Sequence, residues 1–240
     1  MSVWTDEEQA RFFLTTVRAS LPLIESMTDL AFRLIESHVP QPATVIDIGC
    51  GAGALGGEAL RRWPGAGCLF VDFSSPMMDQ CHKALESLGD RADFLCDDFS
   101  HPQWASDAGK RGPFDVALSG FAIHHQPDER KREIYKEIFG MLRPGGVFMH
   151  LEHVAPLADQ TSELFVTLFR ENLFERARLS GVDVDKAAII EALEKRAHKD
   201  ENRLASVEDQ CQWLRDVGFD DVDVYFKITE LALFGGVRPG

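Results

Sequence analysis

The chain has 240 residues, of which 45% are hydrophobic, and its formal net charge is −14. A chain of this length can bury a sizeable core. The acidic balance argues against nucleic-acid binding, which needs clustered Lys and Arg. No apolar run approaches the roughly 20 residues that span a bilayer, and the five scattered cysteines form no C-x-x-C pair. We therefore expect a cytoplasmic protein without membrane, nucleic-acid or structural zinc partners.

The first two thirds of the chain alternate between helical and strand patterns. Residues 5–38 read as two helices separated by a Leu-Pro break, and they precede the first strand as a lid would. Predicted strands follow at 44–48, 69–72, 92–96, 114–119 and 147–151, with helices at 54–63, 75–88 and 128–142 and a polar loop at 100–113. Because strands and helices alternate at short spacing, the sequence predicts a parallel sheet covered on both faces.

The last third changes character. Residues 160–200 are charged and helical, contain no strand pattern, and indicate a helical cap. A further helix begins at Ser206 and ends near Gly218, and two short strands at 222–226 and 228–234 follow, joined by a tight connection. We expect these two strands to form a terminal hairpin.

The first strand runs into a glycine turn, V-I-D-I-G-C-G-A-G, at residues 45–53. Glycines at alternate positions after a buried strand are typical of a turn whose backbone approaches a ligand closely. Gly51, Gly53 and Gly56 also satisfy G-x-G-x-x-G, the dinucleotide fingerprint, and Asp72 follows about 20 residues later, where a ribose is held. The turn alone leaves the kind of cofactor open.

Two further acidic positions favour a cofactor without phosphate. Asp47 lies inside the strand end, where a carboxylate suits a cationic amino group better than a pyrophosphate. Asp97 and Asp98 close the third strand, where they could accept a hydrogen bond from an adenine amine. A ligand with an amino-acid tail, a ribose and an adenine fits this arrangement best.

Five motifs in order carry a family resemblance: the glycine turn, V-D-F-S-S-P-M-M, C-D-D-F, F-D-V-A-L-S-G and L-R-P-G-G. Together they resemble the motifs of class I S-adenosylmethionine-dependent methyltransferases. The resemblance implies S-adenosylmethionine as cofactor and methyl transfer to a small-molecule acceptor, with S-adenosylhomocysteine as product. The implied cofactor residues are Asp47, Gly49, Cys50 and Gly51 for the methionine part, Asp72 for the ribose, Asp97 and Asp98 for the adenine, and Ser119 beside the sulfonium, with Gly53 and Phe73 also lining the site.

A closer resemblance covers residues 20–78 and the tail at 206–219, which look similar to carboxy-S-adenosylmethionine synthases and related small-molecule methyltransferases. That subfamily has a Tyr and an Asn where this chain has Ile24 and Ser119, and a cap arginine whose nearest counterpart is Arg196. These departures favour ordinary methyl transfer over carboxyl transfer.

Together, the elements and the resemblance predict an α/β, Rossmann-like fold with a seven-stranded, mostly parallel sheet and a terminal antiparallel hairpin. We expect a single domain made of an N-terminal helical lid (1–42), a cofactor-binding core (43–156), a helical cap between strands five and six (157–204), and the final helix and hairpin (205–240). A homodimer is compatible with this organisation.

Candidate acceptor-side residues follow the fourth and fifth strands, at the sheet edge where open α/β sheets bind ligands. Methyl transfer is an in-line displacement, so the protein aligns the reactants and supplies a base for a poor nucleophile. The candidate catalytic residues are Glu152, His124 and His125, and the candidate substrate contacts are Glu152, His153, Arg196 and Phe121. A structural role for either histidine is equally open. No metal is predicted, because adjacent residues rarely share one ion.

Three other functions remain open at this point. They are a carboxy-S-adenosylmethionine synthase, a nicotinamide-dependent oxidoreductase, and a non-catalytic partner that binds the cofactor only to fold. The last stays open because a fold does not by itself establish turnover.

Overall fold

The strands form a single seven-stranded sheet. A computed structural model describes residues 21–179 and 202–240. The strands are β1 (Thr44–Ile48), β2 (Gly67–Asp72), β3 (Ala92–Cys96), β4 (Phe114–Gly120), β5 (Leu142–His153), β6 (Asp220–Ile228) and β7 (Leu231–Val237). Their order is β3-β2-β1-β4-β5-β7-β6, and β7 alone runs antiparallel to its neighbours β5 and β6. The predicted mostly parallel sheet with a terminal hairpin is confirmed.

Helices cover both faces of this sheet. They are α1 (Ile24–His38), α2 (Ala54–Arg62), α3 (Ser75–Leu85), α4 (Gln103–Gly109), α5 (Asp128–Met141), α6 (Asp159–Leu179) and α7 (Val207–Val217). Helices α1, α2 and α3 pack on one face, and α4, α5 and α7 pack on the other. The predicted first helix, the second half of the cap and Arg196 lie outside the described residues.

The central strands are mostly apolar, as is typical of strands that are covered on both faces. All seven residues of β4 are buried, as are the last four of β1. The pairing sets Ile48 opposite both Val71 of β2 and Ser119 of β4. The carboxyl ends of the parallel strands therefore meet at one edge of the sheet, and the polar residues that end or follow those strands gather there.

Helix α1 belongs to the layer that packs on the sheet. Its side chains Met27, Phe32 and Ile35 are fully buried in the core. Of the two helices in the predicted N-terminal lid, this one therefore contributes mainly to the core. A covering role stays a prediction for the residues before it.

Several predicted boundaries were wrong, including those of the hairpin strands, which were predicted at 222–226 and 228–234 and lie at Asp220–Ile228 and Leu231–Val237. The predicted loop at 100–113 contains α4, anchored by Trp104, which is fully buried and donates a hydrogen bond from Nε1 to Glu137 (2.7 Å). A helix this short shows too few apolar repeats to be recognised. Helix α3 ends at Leu85 and continues as a 3₁₀ segment, Glu86–Arg91. Strand β5 begins at Leu142, so the L-R-P-G-G motif lies within it.

Candidate active site

The glycine turn crosses the end of β2. The backbone N–H groups of Gly49 and Cys50 both donate to the carbonyl of Val71, at 2.8 and 3.0 Å. Gly49 has φ 67°, and a Cβ at this position would overlap the Cβ of Ala122. Gly49 is therefore required both by its left-handed backbone and by the close approach of the loop that follows β4.

Gly51 borders open space. Its φ is 54°, and a Cβ built on it would meet no atom within 4 Å. Its N–H donates to Oδ2 of Asp72 (2.9 Å). The turn thus offers a backbone surface next to a carboxylate, which is the kind of cradle that the methionine and ribose parts of a nucleoside cofactor need.

Asp47 is almost fully enclosed, with 1% of its surface exposed. Its Oδ2 accepts a hydrogen bond from the N–H of Gly56 (2.8 Å), in the first turn of α2. A carboxylate at this position stabilises the positive end of the helix and ties α2 to β1. The contact between Asp47 and a cofactor amino group stays a prediction, since in this conformation the carboxylate holds the turn in place.

Asp72 joins the glycine turn to the loop that begins α3. Besides Gly51, its carboxylate accepts from the N–H of Ser74 (2.9 Å, to Oδ1). Burial raises the pKa of Asp72, and the nearby Asp98 raises it further, whereas the backbone donors lower it; the net pKa lies above the ordinary value. The N–H of Phe73 is a third backbone donor, and the remaining lone pair of the carboxylate could accept from a ribose hydroxyl.

The corner after β3 continues this edge of the sheet. The N–H of Asp97 donates to the carbonyl of Asp72 (3.1 Å), and Oδ1 of Asp98 accepts from the N–H of Ser100 (2.8 Å). Asp97 and Asp98 are both half-buried. An adenine bound here would lie beside the residue expected to hold its ribose.

Ser119 and Phe121 fix the end of β4. Ser119 is fully buried, and its hydroxyl donates to the carbonyl of Ile48 (2.9 Å), the residue before Gly49. Phe121 is buried and has φ 56°, an uncommon conformation for a bulky residue. Such backbone outliers cluster at functional sites. Here the outlier bends the chain back over the glycine turn.

The predicted cofactor residues therefore lie along one edge of the sheet. These residues are Asp47, Gly49, Cys50, Gly51, Gly53, Asp72, Phe73, Asp97, Asp98 and Ser119. Within this set, Cys50 is buried with its Sγ 3.8 Å from Sδ of Met78. Burial raises the pKa of its thiol well above the ordinary range. Cys50 is thus a packing residue rather than a nucleophile.

Glu152 is the centre of a buried polar network on the acceptor side. Its side chain has no exposed surface. It accepts from the N–H of His124 (3.0 Å) and from the N–H of His153 (2.8 Å). Nδ1 of His124 lies 2.6 Å from Oε1, and Nε2 of His150 lies 2.9 Å from Oε2. Burial alone would raise the pKa of Glu152, but the two imidazoles hold it well below its usual range.

The network fixes the tautomer of His124. A carboxylate can only accept, so the proton of a neutral His124 belongs on Nδ1, and Nε2 keeps its lone pair. No described residue makes a hydrogen bond with that Nε2. Glu152 is fully enclosed in this conformation, with His124 between it and the more exposed part of the site, so the direct contact with substrate stays a prediction.

The second half of the network is not predicted by the sequence. The hydroxyl of Tyr135 lies 3.4 Å from Nδ1 of His150 and donates to Oε1 of Gln210 (2.6 Å), which reaches α7. Gln210 in turn donates to the carbonyl of Ala205 (3.1 Å). One signal was present: His150 and Glu152 are two residues apart on a buried strand, so they share a face.

His125 and His153 flank the network. The rings of His124 and His125 lie 4.0 Å apart, and those of His124 and His153 lie 5.7 Å apart. His153 lies beside Phe165 of α6, with 5.4 Å between ring centroids, and its Nε2 lies 2.7 Å from Oε2 of Glu230. Among the described residues, no group of three His, Cys, Asp or Glu side chains is arranged to hold a metal ion.

Fold and site thus define a nucleoside-cofactor domain of the doubly wound α/β type, with a polar second site beside the glycine turn. Residues 45–146 match the family model described as "Methyltransferase domain". This match supports the resemblance to class I S-adenosylmethionine-dependent methyltransferases that the motifs predicted. No helix in the described ranges is both long and apolar enough to cross a membrane.

Two relatives differ in how much of them the chain covers. It is 37% identical over 95 residues to malonyl-[acyl-carrier protein] O-methyltransferase of Magnetococcus marinus, which is 40% of this chain and 33% of that protein. It is 25% identical over 227 residues to carboxy-S-adenosyl-L-methionine synthase of Pasteurella multocida, which is 92% of this chain and 88% of that one. The chain therefore spans a third of the first relative and most of the second.

Solved structures share the fold at low sequence identity. An O-methyltransferase family protein from Burkholderia thailandensis superposes with a TM-score of 0.61 at 18% identity, over 99% of this chain and 64% of that one. Human N-acetylserotonin methyltransferase in complex with S-adenosylmethionine gives 0.63 at 16%, over 99% and 58%. The 1,6-didemethyltoxoflavin-N1-methyltransferase of Burkholderia thailandensis, with S-adenosylhomocysteine, gives 0.58 at 16%, over 96% and 87%. These likenesses show the fold alone.

Proposed function

We propose that this chain transfers a methyl group from S-adenosylmethionine to a small-molecule acceptor and releases S-adenosylhomocysteine. One observation carries the proposal: the loop that presents His124 passes directly over the glycine turn, where Ala122 meets Gly49. A cofactor held by the turn and an acceptor held at His124 would therefore be neighbours. Direct transfer between two bound molecules needs this proximity.

Different residues along the sheet edge would hold different parts of the cofactor. Asp72 would hold the ribose, the turn from Gly49 to Gly53 the methionine part, and the corner at Asp97 and Asp98 the adenine. When bound, S-adenosylmethionine supplies a methyl group activated by a positively charged sulfur. The chain's own contribution is a preorganised edge, in which the carboxylate of Asp72 and the turn are already joined by hydrogen bonds.

His124 is the proposed general base. Its Nε2 would accept the proton of an acceptor O–H or N–H while the acceptor's lone pair forms the new bond to the methyl carbon and the carbon–sulfur pair returns to sulfur. Glu152 is the positioning residue. It holds the tautomer of His124 and, being ionised, stabilises the imidazolium that forms.

Carboxyl transfer is the second candidate, because the similarity to carboxy-S-adenosyl-L-methionine synthase extends over most of both chains. Against it stand Ile24 and Ser119 at two positions where that subfamily has Tyr and Asn. Incubation of the protein with S-adenosylmethionine and a metabolite extract, followed by mass spectrometry of the cofactor, distinguishes the two. A cofactor gaining one carboxyl group would favour the second candidate, and its conversion to S-adenosylhomocysteine the first.

The main test uses S-adenosylmethionine labelled in the methyl group and a metabolite extract. We expect a labelled small molecule to form with the wild-type protein and not with the Asp72→Ala variant. Calorimetric titration should show binding of S-adenosylhomocysteine and none of NAD. Binding of NAD would favour the oxidoreductase, whereas tight S-adenosylhomocysteine binding without any labelled product would favour a non-catalytic partner.

The proposal also covers the location of the protein in the cell, its partners and its oligomeric state. A cytoplasmic location is supported by five free cysteines, four of them buried. The net charge of −14 supports a role without nucleic acid. We also propose that the protein is a single domain, organised as the sequence predicts, and that it forms a homodimer. Limited proteolysis tests the first and light scattering in solution the second.

A further inference from the structure

Glu230 is a buried carboxylate, and one of its oxygens has no hydrogen-bond partner among the described residues. It lies in the turn between β6 and β7, with 5% of its surface exposed. Its Oε2 lies 2.7 Å from Nε2 of His153. Its Oε1 is also buried, and none of the described residues makes a hydrogen bond to it. An acceptor atom removed from water without a donor is unfavourable, so such an atom calls for a specific explanation.

This carboxylate lies on the acceptor side of the site. The carbonyl of Glu230 accepts from the N–H of Val154 (2.8 Å), which holds the hairpin turn against the end of β5. Its partner His153 lies beside His124, with 5.7 Å between ring centroids, and beside Phe165. The side chain of His153 is 20% exposed, so the histidine of this pair is itself in contact with solvent.

A second buried oxygen without a hydrogen-bond partner among the described residues lies near His124 and His153. Oδ1 of Asn202 is buried and has no hydrogen-bond partner in the described part of the chain. The next residue, Arg203, donates its N–H to the carbonyl of His124 (2.9 Å). The segment that ends the cap and the hairpin turn therefore each bring an unsatisfied oxygen to the neighbourhood of His124 and His153.

The two carboxylates of this region are compensated differently. Glu152 is balanced by two imidazoles and two backbone N–H groups, so all of its capacity is used within the protein. Among the described residues, Glu230 has His153 alone. A positively charged ligand that donates hydrogen bonds would satisfy the free oxygen of Glu230. A ligand carboxylate would instead be repelled by the negative charge of Glu230 and would find no hydrogen-bond donor on it.

We infer that Glu230 and His153 form a subsite that binds a protonated amine of the acceptor, while Phe165 and Phe169 cover its apolar part. This inference rests on the proposed function, because it assigns the amine to the molecule that is methylated at His124. The rings of Phe165 and Phe169 lie 6.4 Å apart on α6, and the ring of Phe165 lies 5.4 Å from that of His153, tilted by 39°. The acceptor is thus an aromatic or apolar amine rather than an acid.

The test compares three phenols that differ in one substituent: tyramine with an ammonium, 4-ethylphenol with none, and 4-hydroxyphenylacetate with a carboxylate. Each is titrated calorimetrically into protein saturated with S-adenosylhomocysteine. We expect tyramine to bind roughly tenfold more tightly than either analogue. In Glu230→Gln the preference should disappear, while S-adenosylhomocysteine affinity stays at the wild-type value. Glu86→Gln, the same change at an exposed site on the opposite end of the sheet order, should keep the preference.

Equal binding of the three phenols to the wild-type protein, or no binding of tyramine, would overturn the subsite. So would a preference that survives in Glu230→Gln. If that variant does not fold, as judged by lost S-adenosylhomocysteine binding, His153→Gln replaces it and should abolish the same preference. Failure of the wild-type protein to bind S-adenosylhomocysteine would instead count against the proposed function, so the two failures are distinguishable.

Discussion

Replacement of Glu152 by Gln removes the charge at the centre of the buried network and keeps the side-chain shape. In the wild-type protein four donors converge on this carboxylate. A Gln amide has a single acceptor oxygen, and its NH₂ group would face at least one of these donors. Breaking a buried, hydrogen-bonded charge pair costs about 3–5 kcal/mol. For a domain of this size each kcal/mol lowers Tm by about 2–4 °C.

The effect has a defined pH dependence. The pKa of Glu152 is lowered in the folded state, because His124 and His150 outweigh the opposing effect of burial. The stabilisation is therefore fully present above the ordinary glutamate pKa of 4.5 and is lost as the pH falls through the lower folded value. The difference in unfolding free energy between wild type and Glu152→Gln should be largest near neutral pH and shrink on acidification below pH 4.5.

Urea unfolding at a series of pH values measures this difference, with Glu86→Gln as the exposed control. Glu152→Gln should also lose methyl transfer by on the order of 10²–10⁴-fold, because His124 loses its orienting partner. Its affinity for S-adenosylhomocysteine should change little, since the network does not include the glycine turn. A loss of stability below about 1 kcal/mol, or one independent of pH, would refute the role assigned to Glu152.

The remaining predictions concern the cofactor edge and the base. Gly49→Ala should unfold at lower temperature and lose S-adenosylhomocysteine binding, because the new Cβ overlaps Ala122. Gly51→Ala should also lose binding but with a smaller drop in Tm, since its Cβ enters open space. Equal drops in the Tm of the two variants would contradict this geometry. Asp72→Asn should bind S-adenosylhomocysteine at least about tenfold more weakly by calorimetry, and unchanged affinity would remove Asp72 from the cofactor site. His124→Gln should lower kcat by about 10²-fold or more with unchanged S-adenosylhomocysteine affinity, and full activity in this variant would exclude His124 as the base.

Much of the fold and of the cofactor edge follows from local patterns. The apolar runs of β1 and β4 predict strands buried on both faces, and the glycines after Ile48 predict a turn that approaches a ligand. Because the carboxyl ends of parallel strands meet at one edge, the acidic residues at the ends of β1, β2 and β3 could be grouped in advance. These inferences need only strand periodicity, turn chemistry and the handedness of the connections.

The acceptor side depends on tertiary structure. Sequence alone left Glu152 open as a base, a substrate contact or a structural residue, and its complete burial among His124 and His150 is what supports the proposed positioning role. Tyr135 and Gln210 are 75 positions apart, and Glu230 meets His153 across 77 positions. No local pattern encodes such contacts, because they depend on how helices and hairpin pack against the sheet. The chain by itself predicted the sheet edge at which the methyl donor binds, and packing decided which polar groups lie on the proposed acceptor side.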